Sequence, residues 1–197
     1  NGPSKGVVDG IPVSTAYPLR GMKGHLYEGG TRVPLIVRWP GKVEAGSRCD
    51  ETVISTDLYA TVLEAAGIEP RKEQALDAES ILPLLEQTGK LNRDTTYCHF
   101  PQGGAFSGPK TQNSNHVAGT YARKGRWKLI RRYDSNIHFP DRFELFNLAE
   151  DIGETTNRAF DHPEKIRELN ALIDAYLEDT NALVPSPNPA YDPASRL

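Results

Sequence analysis

The sequence predicts an α/β chain that ends in a small antiparallel sheet packed on a C-terminal helix. Three observations predict it. "STDLYATVLEAAGI" (55–68) repeats apolar residues at helical spacing. "YARKGRWKLIRRY" (121–133) and "FELFNL" (143–148) alternate as strands do. Between roughly Asp161 and Asp179, Ile166, Leu169, Ile173 and Tyr176 make one apolar stripe.

Residues 1–22 are rich in Gly, Pro and Ser and read as loop. "VPLIVRWPGK" (33–42) is an apolar run closed by Pro40-Gly41 and predicts a buried strand ending in a turn. In 55–68 Thr56 is the expected N-cap, Leu58, Val62 and Ala65 the apolar face, and Gly67 the residue that stops the helix. "SILPLLEQ" (80–87) predicts a short second helix and "TTYCHF" (95–100) a strand. The polar, glycine-rich stretch 101–120 is long for an uncommitted connection and is read as a lid. Gly125 divides 121–133 into two strands, and Asp161 with Glu164 has capping-box spacing ahead of the last helix. The proline-rich tail 181–197 is expected to be an extended strap or disordered.

Composition excludes several classes. With 38% hydrophobic and 25% charged residues among 197, the chain falls with globular proteins rather than disordered or fibrous ones. A net charge of −3, from 26 acidic and 23 basic residues, gathers neither nucleic acid nor an anionic membrane surface. No segment approaches the roughly 18 consecutive apolar residues of a membrane helix. Cys49 and Cys98 lack the spacing of a zinc site or disulfide framework. The chain opens on Asn1-Gly2-Pro3 without methionine, so a mature or truncated product is expected.

Chemistry is concentrated in "GMKGHLYEGGTRVP" (21–34). Glycines let backbone approach a ligand closely, and a lysine ammonium among them is a point charge suited to a tetrahedral oxyanion, phosphate or sulfate. By spacing alone Lys23 also reads as a surface lysine beside a turn. Glu28 and Arg32 flank the double glycine as an ion pair that braces the loop. Arg123, Lys124, Arg126, Lys128, Arg131 and Arg132 alternate with Trp127 and Leu129, which reads as the solvent face of a strand.

Resemblance sharpens this. "LRGMKGHLYEGGTRVPLIVRWPGK" (19–42) resembles the lysine-containing segment of the formylglycine-dependent sulfatases, and "NGP" (1–3) resembles the end of their Asp-Asn-Gly-Pro metal motif. "STDLYATVLEAAGI", "LDAESILPLL" (76–85), "CHFP" (98–101) before "RKGRWKLI", and "ELFNLAEDIGETTN" (144–157) resemble further blocks of that family, in order. Departures are small: Ala78 stands where glycine is usual, Ile152 where proline is, and Arg158 where leucine is.

The resemblance implies the C-terminal part of an alkaline-phosphatase-like α/β/α sandwich (1–90), an antiparallel-sheet subdomain with its helix (91–180), and the tail (181–197). It implies that Lys23 holds a sulfate oxygen, that Asn1 offers a side-chain oxygen to Ca²⁺, and that His25 and His99 contact substrate. His116, His138 and His162 receive no role. The family's Cys/Ser-x-Pro/Ala-x-Arg nucleophile motif is absent: Cys49, Cys98 and Ser107 all sit in sequences that do not match it. Formylglycine and the remaining metal ligands are therefore expected upstream, in a partner half of the same enzyme. The substrate implied is a sulfated carbohydrate or an aryl sulfate, in a periplasmic, secreted or lysosomal setting. Two alternatives stand beside this: a phosphodiesterase or phosphonate monoester hydrolase of the same superfamily, and a non-catalytic glycan-binding or assembly module.

Overall fold

The computed structural model describes residues 2–3, 7–9, 11–101, 118–133 and 142–186. Two compact units divide the chain, one formed by 1–33 with 97–197 and the other by 34–96. The segment that carries Lys23 thus clusters with the C-terminal lobe.

In the first unit, β1 (Val7–Val8) and β2 (Ile11–Pro12) form a minimal antiparallel pair, and α1 (Glu28–Thr31) is a single turn. The main sheet has the order β3-β4-β5-β6, with β3 (Thr95–Phe100), β4 (Gly119–Lys124), β5 (Trp127–Arg132) and β6 (Phe143–Asn147). β4 and β5 pair antiparallel from Gly119 opposite Arg132 to Lys124 opposite Trp127, and Gly125 supplies the tight turn at φ +55°. β6 pairs antiparallel with β5.

Both faces of this sheet are covered, and the period of two sorts its side chains. Ala122, Leu129 and Leu145 pack against Leu169, Ile173 and Leu177 of α4 (Pro163–Asp179), and Tyr97 stacks on Tyr176 with ring centres 4.4 Å apart. On the other face Ile130 and Phe146 pack with Leu26 and Tyr27 from the Lys23 segment. The last helix thus uses the stripe expected of it. It starts later than capping-box spacing predicts, because Pro163 has no N–H to satisfy and a φ already suited to the first helical position; His162 is the N-cap and makes no side-chain cap bond.

The basic stretch 123–132 departs from the sequence reading. Lys128 is fully buried, and Arg131 and Arg132 nearly so. β5 is a central strand with a cover on each side, so its charged residues have no solvent face and are paired instead.

The second unit holds α2 (Asp57–Ala65) and α3 (Leu82–Leu85). α2 ends as expected, with Gly67 at φ +66°. Its buried side is polar: Asp57 accepts hydrogen bonds from the N–H groups of Ile54 (2.8 Å) and Glu79 (3.1 Å) and from both terminal nitrogens of Arg93 (2.8 and 2.6 Å). Thr61 Oγ1 donates to the Asp57 carbonyl and accepts from Ile81 N–H. Its apolar residues Leu58, Tyr59 and Val62 face outward, as does Ile68.

The strand expected in 33–42 is not formed. The turn is, with Lys42 N–H donating to the Trp39 carbonyl and Gly41 at φ +80°, but Val33, Leu35 and Ile36 are exposed, Ile36 to 91%. A strand needs a neighbour to fill its ladder, and among the described residues none pairs with this run.

Asp57 sets the acid tolerance of this unit. Burial pushes its carboxyl up, but the Arg93 guanidinium and two N–H donors outweigh that and hold it below the usual carboxylate range. Its contribution is complete above the unfolded value, about pH 4, and is lost as pH falls through the lower folded value. Asp57→Asn is expected to destabilise the chain by about 2–3 kcal/mol at pH 7 and by much less at pH 2. Urea unfolding at the two pH values checks this.

Candidate functional site

The site is built around a tight loop. Gly29 N–H donates to the Arg20 carbonyl (2.7 Å) and His25 N–H to the Met22 carbonyl (2.9 Å), so the chain from Arg20 to Gly29 doubles back with Lys23 on the outside. The Lys23 side chain is exposed, while its N–H donates to the Pro3 carbonyl at 2.9 Å. Gly2 N–H donates to the Gly30 carbonyl at 3.0 Å. Asn1 lies outside the described residues, but the backbone that follows it is laced to the loop of Lys23. Two segments linked in the sequence analysis only by resemblance are therefore neighbours.

The double glycine is required by close approach. A Cβ on Gly29 would fall 2.5 Å from the Arg20 carbonyl oxygen, one on Gly30 2.1 Å from that of His25, and one on Gly2 1.7 Å from that of Gly29. These obstacles are main chain and cannot swing aside. Gly29→Ala is expected to cost about 1–3 kcal/mol, as overpacking does, and a thermal unfolding comparison with the neutral surface change Lys90→Ala checks it.

His25 folds back on its own loop, its Nδ1 accepting the Met22 N–H at 3.3 Å. A neutral ring that accepts at Nδ1 carries its proton on Nε2. His99 stands on β3 with both ring nitrogens engaged: Nδ1 is 2.7 Å from Thr120 Oγ1 and Nε2 is 3.1 Å from the Leu183 carbonyl. The ring ties the sheet to the segment after α4, and contact with a substrate would require it to give up one of these bonds.

Sequence reasoning missed the buried charges beneath the loop. Lys128 Nζ lies 2.9 Å from Glu28 Oε1 and 2.9 Å from Glu154 Oε1, with its ammonium over the Tyr121 ring. Arg32 and Arg123 also pair with Glu28, the first at 3.3 Å, which is the brace expected of Glu28 and Arg32. Burial alone would raise the Glu28 carboxyl, but these three cations hold it low; at Glu154 burial wins and the carboxyl is raised. Beside this, Tyr27 Oη donates to Glu144 (2.8 Å), which also accepts from Arg132 Nε (2.8 Å), and the Arg20 guanidinium covers the Tyr27 ring at 3.9 Å. The Lys23 segment therefore rests on the sheet through two charged networks as well as through Leu26 and Tyr27.

Residues 22–182 match the family described as N-sulphoglucosamine sulphohydrolase, C-terminal. The chain belongs to this sulfatase family. It is 31% identical to a sulfatase of Formosa agariphila over 175 residues, covering 84% of this chain and 30% of the relative. Among solved structures it is similar to a sulfatase from work on the metabolism of multiple glycosaminoglycans by Bacteroides thetaiotaomicron, with a TM-score of 0.56 and 27% identity over 80% of this chain and 32% of the other. It is also similar to Ps i-CgsB in complex with k-i-k-neocarrahexaose, with a TM-score of 0.65 and 25% identity over 81% and 32%. The chain thus spans about a third of the length of these proteins. The fold class is the expected one, an alkaline-phosphatase-like C-terminal part followed by an antiparallel sheet and helix.

No cluster of three or more His, Cys, Asp or Glu side chains able to hold a metal ion exists among the described residues, and no helix there is long and apolar enough to cross a membrane.

Proposed function

We propose that this chain is the C-terminal part of a sulfatase acting on sulfated carbohydrates, in which Lys23 holds a sulfate oxygen of the substrate. The observation that carries this reading is the placement of Lys23: an exposed cation on a loop whose backbone is closed by glycines and hydrogen-bonded to the Gly2-Pro3 segment. An ammonium held there offsets the charge on the sulfuryl oxygens as the ester bond breaks. His25, on the same loop, contacts a substrate oxygen, and Asn1 would supply one oxygen ligand to Ca²⁺. The nucleophile and the other metal ligands come from outside this chain, and His99 is a weaker substrate contact because both its nitrogens are engaged.

Carbohydrate is favoured over simple aryl sulfate by the structural neighbours, one from glycosaminoglycan metabolism and one bound to an oligosaccharide. The exposed apolar residues of 33–36 and of α2 support a further part of the enzyme lying against the 34–96 unit, since such faces are normally buried. The test is release of inorganic sulfate from sulfated disaccharides, with a phosphodiester as comparison, by the enzyme that carries this chain and by the 197-residue chain alone. Sulfate release by the former and none by the latter is expected. Phosphodiester cleavage without sulfate release would favour the superfamily alternative.

A further inference from the structure

The loop of Lys23 has two feet, and both stand on Glu154. At the first, Arg20 Nη1 donates to the Glu154 carbonyl oxygen at 2.9 Å. At the second, Glu28 N–H donates to Glu154 Oε2 at 2.6 Å, which satisfies one of the unpaired donors at the start of α1. The feet are also joined to each other through Gly29 N–H and the Arg20 carbonyl. Glu154 is in turn held from below, its other oxygen 2.9 Å from Lys128 Nζ.

Two features mark this residue as more than a filler of the turn after β6. Its backbone is left-handed, at φ +52°, a conformation uncommon outside glycine and costing about 1 kcal/mol or more. Its side chain is a fully buried carboxylate reaching a segment over a hundred positions away. A glycine would relieve the backbone but would leave the Glu28 N–H and the Lys128 ammonium without this partner.

We propose that Glu154 is a positioning residue for Lys23, clamping both ends of the 20–28 loop so that the ammonium stands at one place when a sulfate ester arrives. The proposal rests on the reading that Lys23 holds the sulfate. It adds a determinant of substrate affinity that touches neither substrate nor nucleophile.

The experiment compares Glu154→Leu, which removes the side-chain acceptor of the second foot and leaves the main-chain carbonyl of the first, with Glu154→Gln, which keeps an oxygen for the Glu28 N–H. Amide hydrogen exchange is read at Lys23 and Gly29 in the loop and at Leu129 and Ile173 in the core, together with kcat and KM for sulfate-ester hydrolysis by the enzyme that carries this chain. In Glu154→Leu the loop amides are expected to exchange about tenfold or more faster relative to the core amides, with KM rising about tenfold and kcat changing less; Glu154→Gln restores most of both. Loop and core accelerating by the same factor, or an unchanged KM in folded Glu154→Leu, would overturn the proposal. Should Glu154→Leu not fold, Arg20→Met cuts the first foot along with the Arg20 contacts to Glu144 and the Tyr27 ring, and the same loop-selective acceleration and KM rise are required of it. The two readings fail separately: unchanged turnover in Lys23→Ala overturns the sulfate-holding role, whereas lost turnover in Lys23→Ala beside an unchanged KM in Glu154→Leu overturns only the clamp.

Discussion

Replacing Lys23 by alanine is expected to lower kcat/KM for sulfate-ester hydrolysis by about 10²–10³-fold, the range seen when one preorganised charge-stabilising donor is removed. The same change should leave stability within about 0.5 kcal/mol, because the side chain is exposed and the Lys23 N–H bond to the Pro3 carbonyl belongs to the backbone. Lys23→Arg should recover little: a planar fork on a longer stem does not stand where a compact ammonium does. Steady-state kinetics and urea unfolding on the same preparations separate the two effects. A stable variant with lost turnover is the expected pair of results; equal losses in both would place Lys23 in the fold rather than in the chemistry.

Lys128→Met carries the largest effect on stability. Lys128 is the buried cation shared by Glu28 and Glu154, and its removal leaves two carboxylates buried beside each other. Breaking a buried pair from one side costs about 3–5 kcal/mol, far more than the pair contributes relative to apolar groups of the same size. Adding Glu154→Gln to Lys128→Met should recover part of that loss by removing one uncompensated charge, and the double-mutant cycle measured by chemical denaturation gives the coupling directly. A loss under 1 kcal/mol for Lys128→Met would mean that water or another cation compensates the carboxylates.

Much of the sheet was legible because local patterns decide it. The strands at 95–100, 127–132 and 143–147 and the helix stripe through Leu169 and Ile173 follow from alternation and from helical spacing. What alternation cannot tell is what covers each face. The basic residues of β5 read as solvent-facing because their partners, the Glu28 carboxylate for Lys128 and the Glu144 carboxylate with the Tyr27 hydroxyl for Arg132, lie far off in sequence or on a neighbouring strand. The run 33–36 shows the converse: it has the composition of a buried strand, yet without a paired neighbour among the described residues it is exposed. At the site, the glycines and Lys23 were visible as a motif, and its link to a sulfate came from family resemblance. Glu154 lies in the block 144–157 that resembles the family, but nothing local marks its side chain as buried or as a partner of the 20–28 loop.

Lys23, on a loop fastened to the C-terminal sheet, is proposed to hold the sulfate. The most direct measurement is a crystal structure of the enzyme that carries this chain with a sulfated disaccharide bound. The Lys23 ammonium is expected within hydrogen-bond reach of a sulfate oxygen, about 2.7–3.2 Å, with Arg20 and Glu28 still joined to Glu154. A sulfate bound elsewhere, with Lys23 turned to solvent, would contradict it.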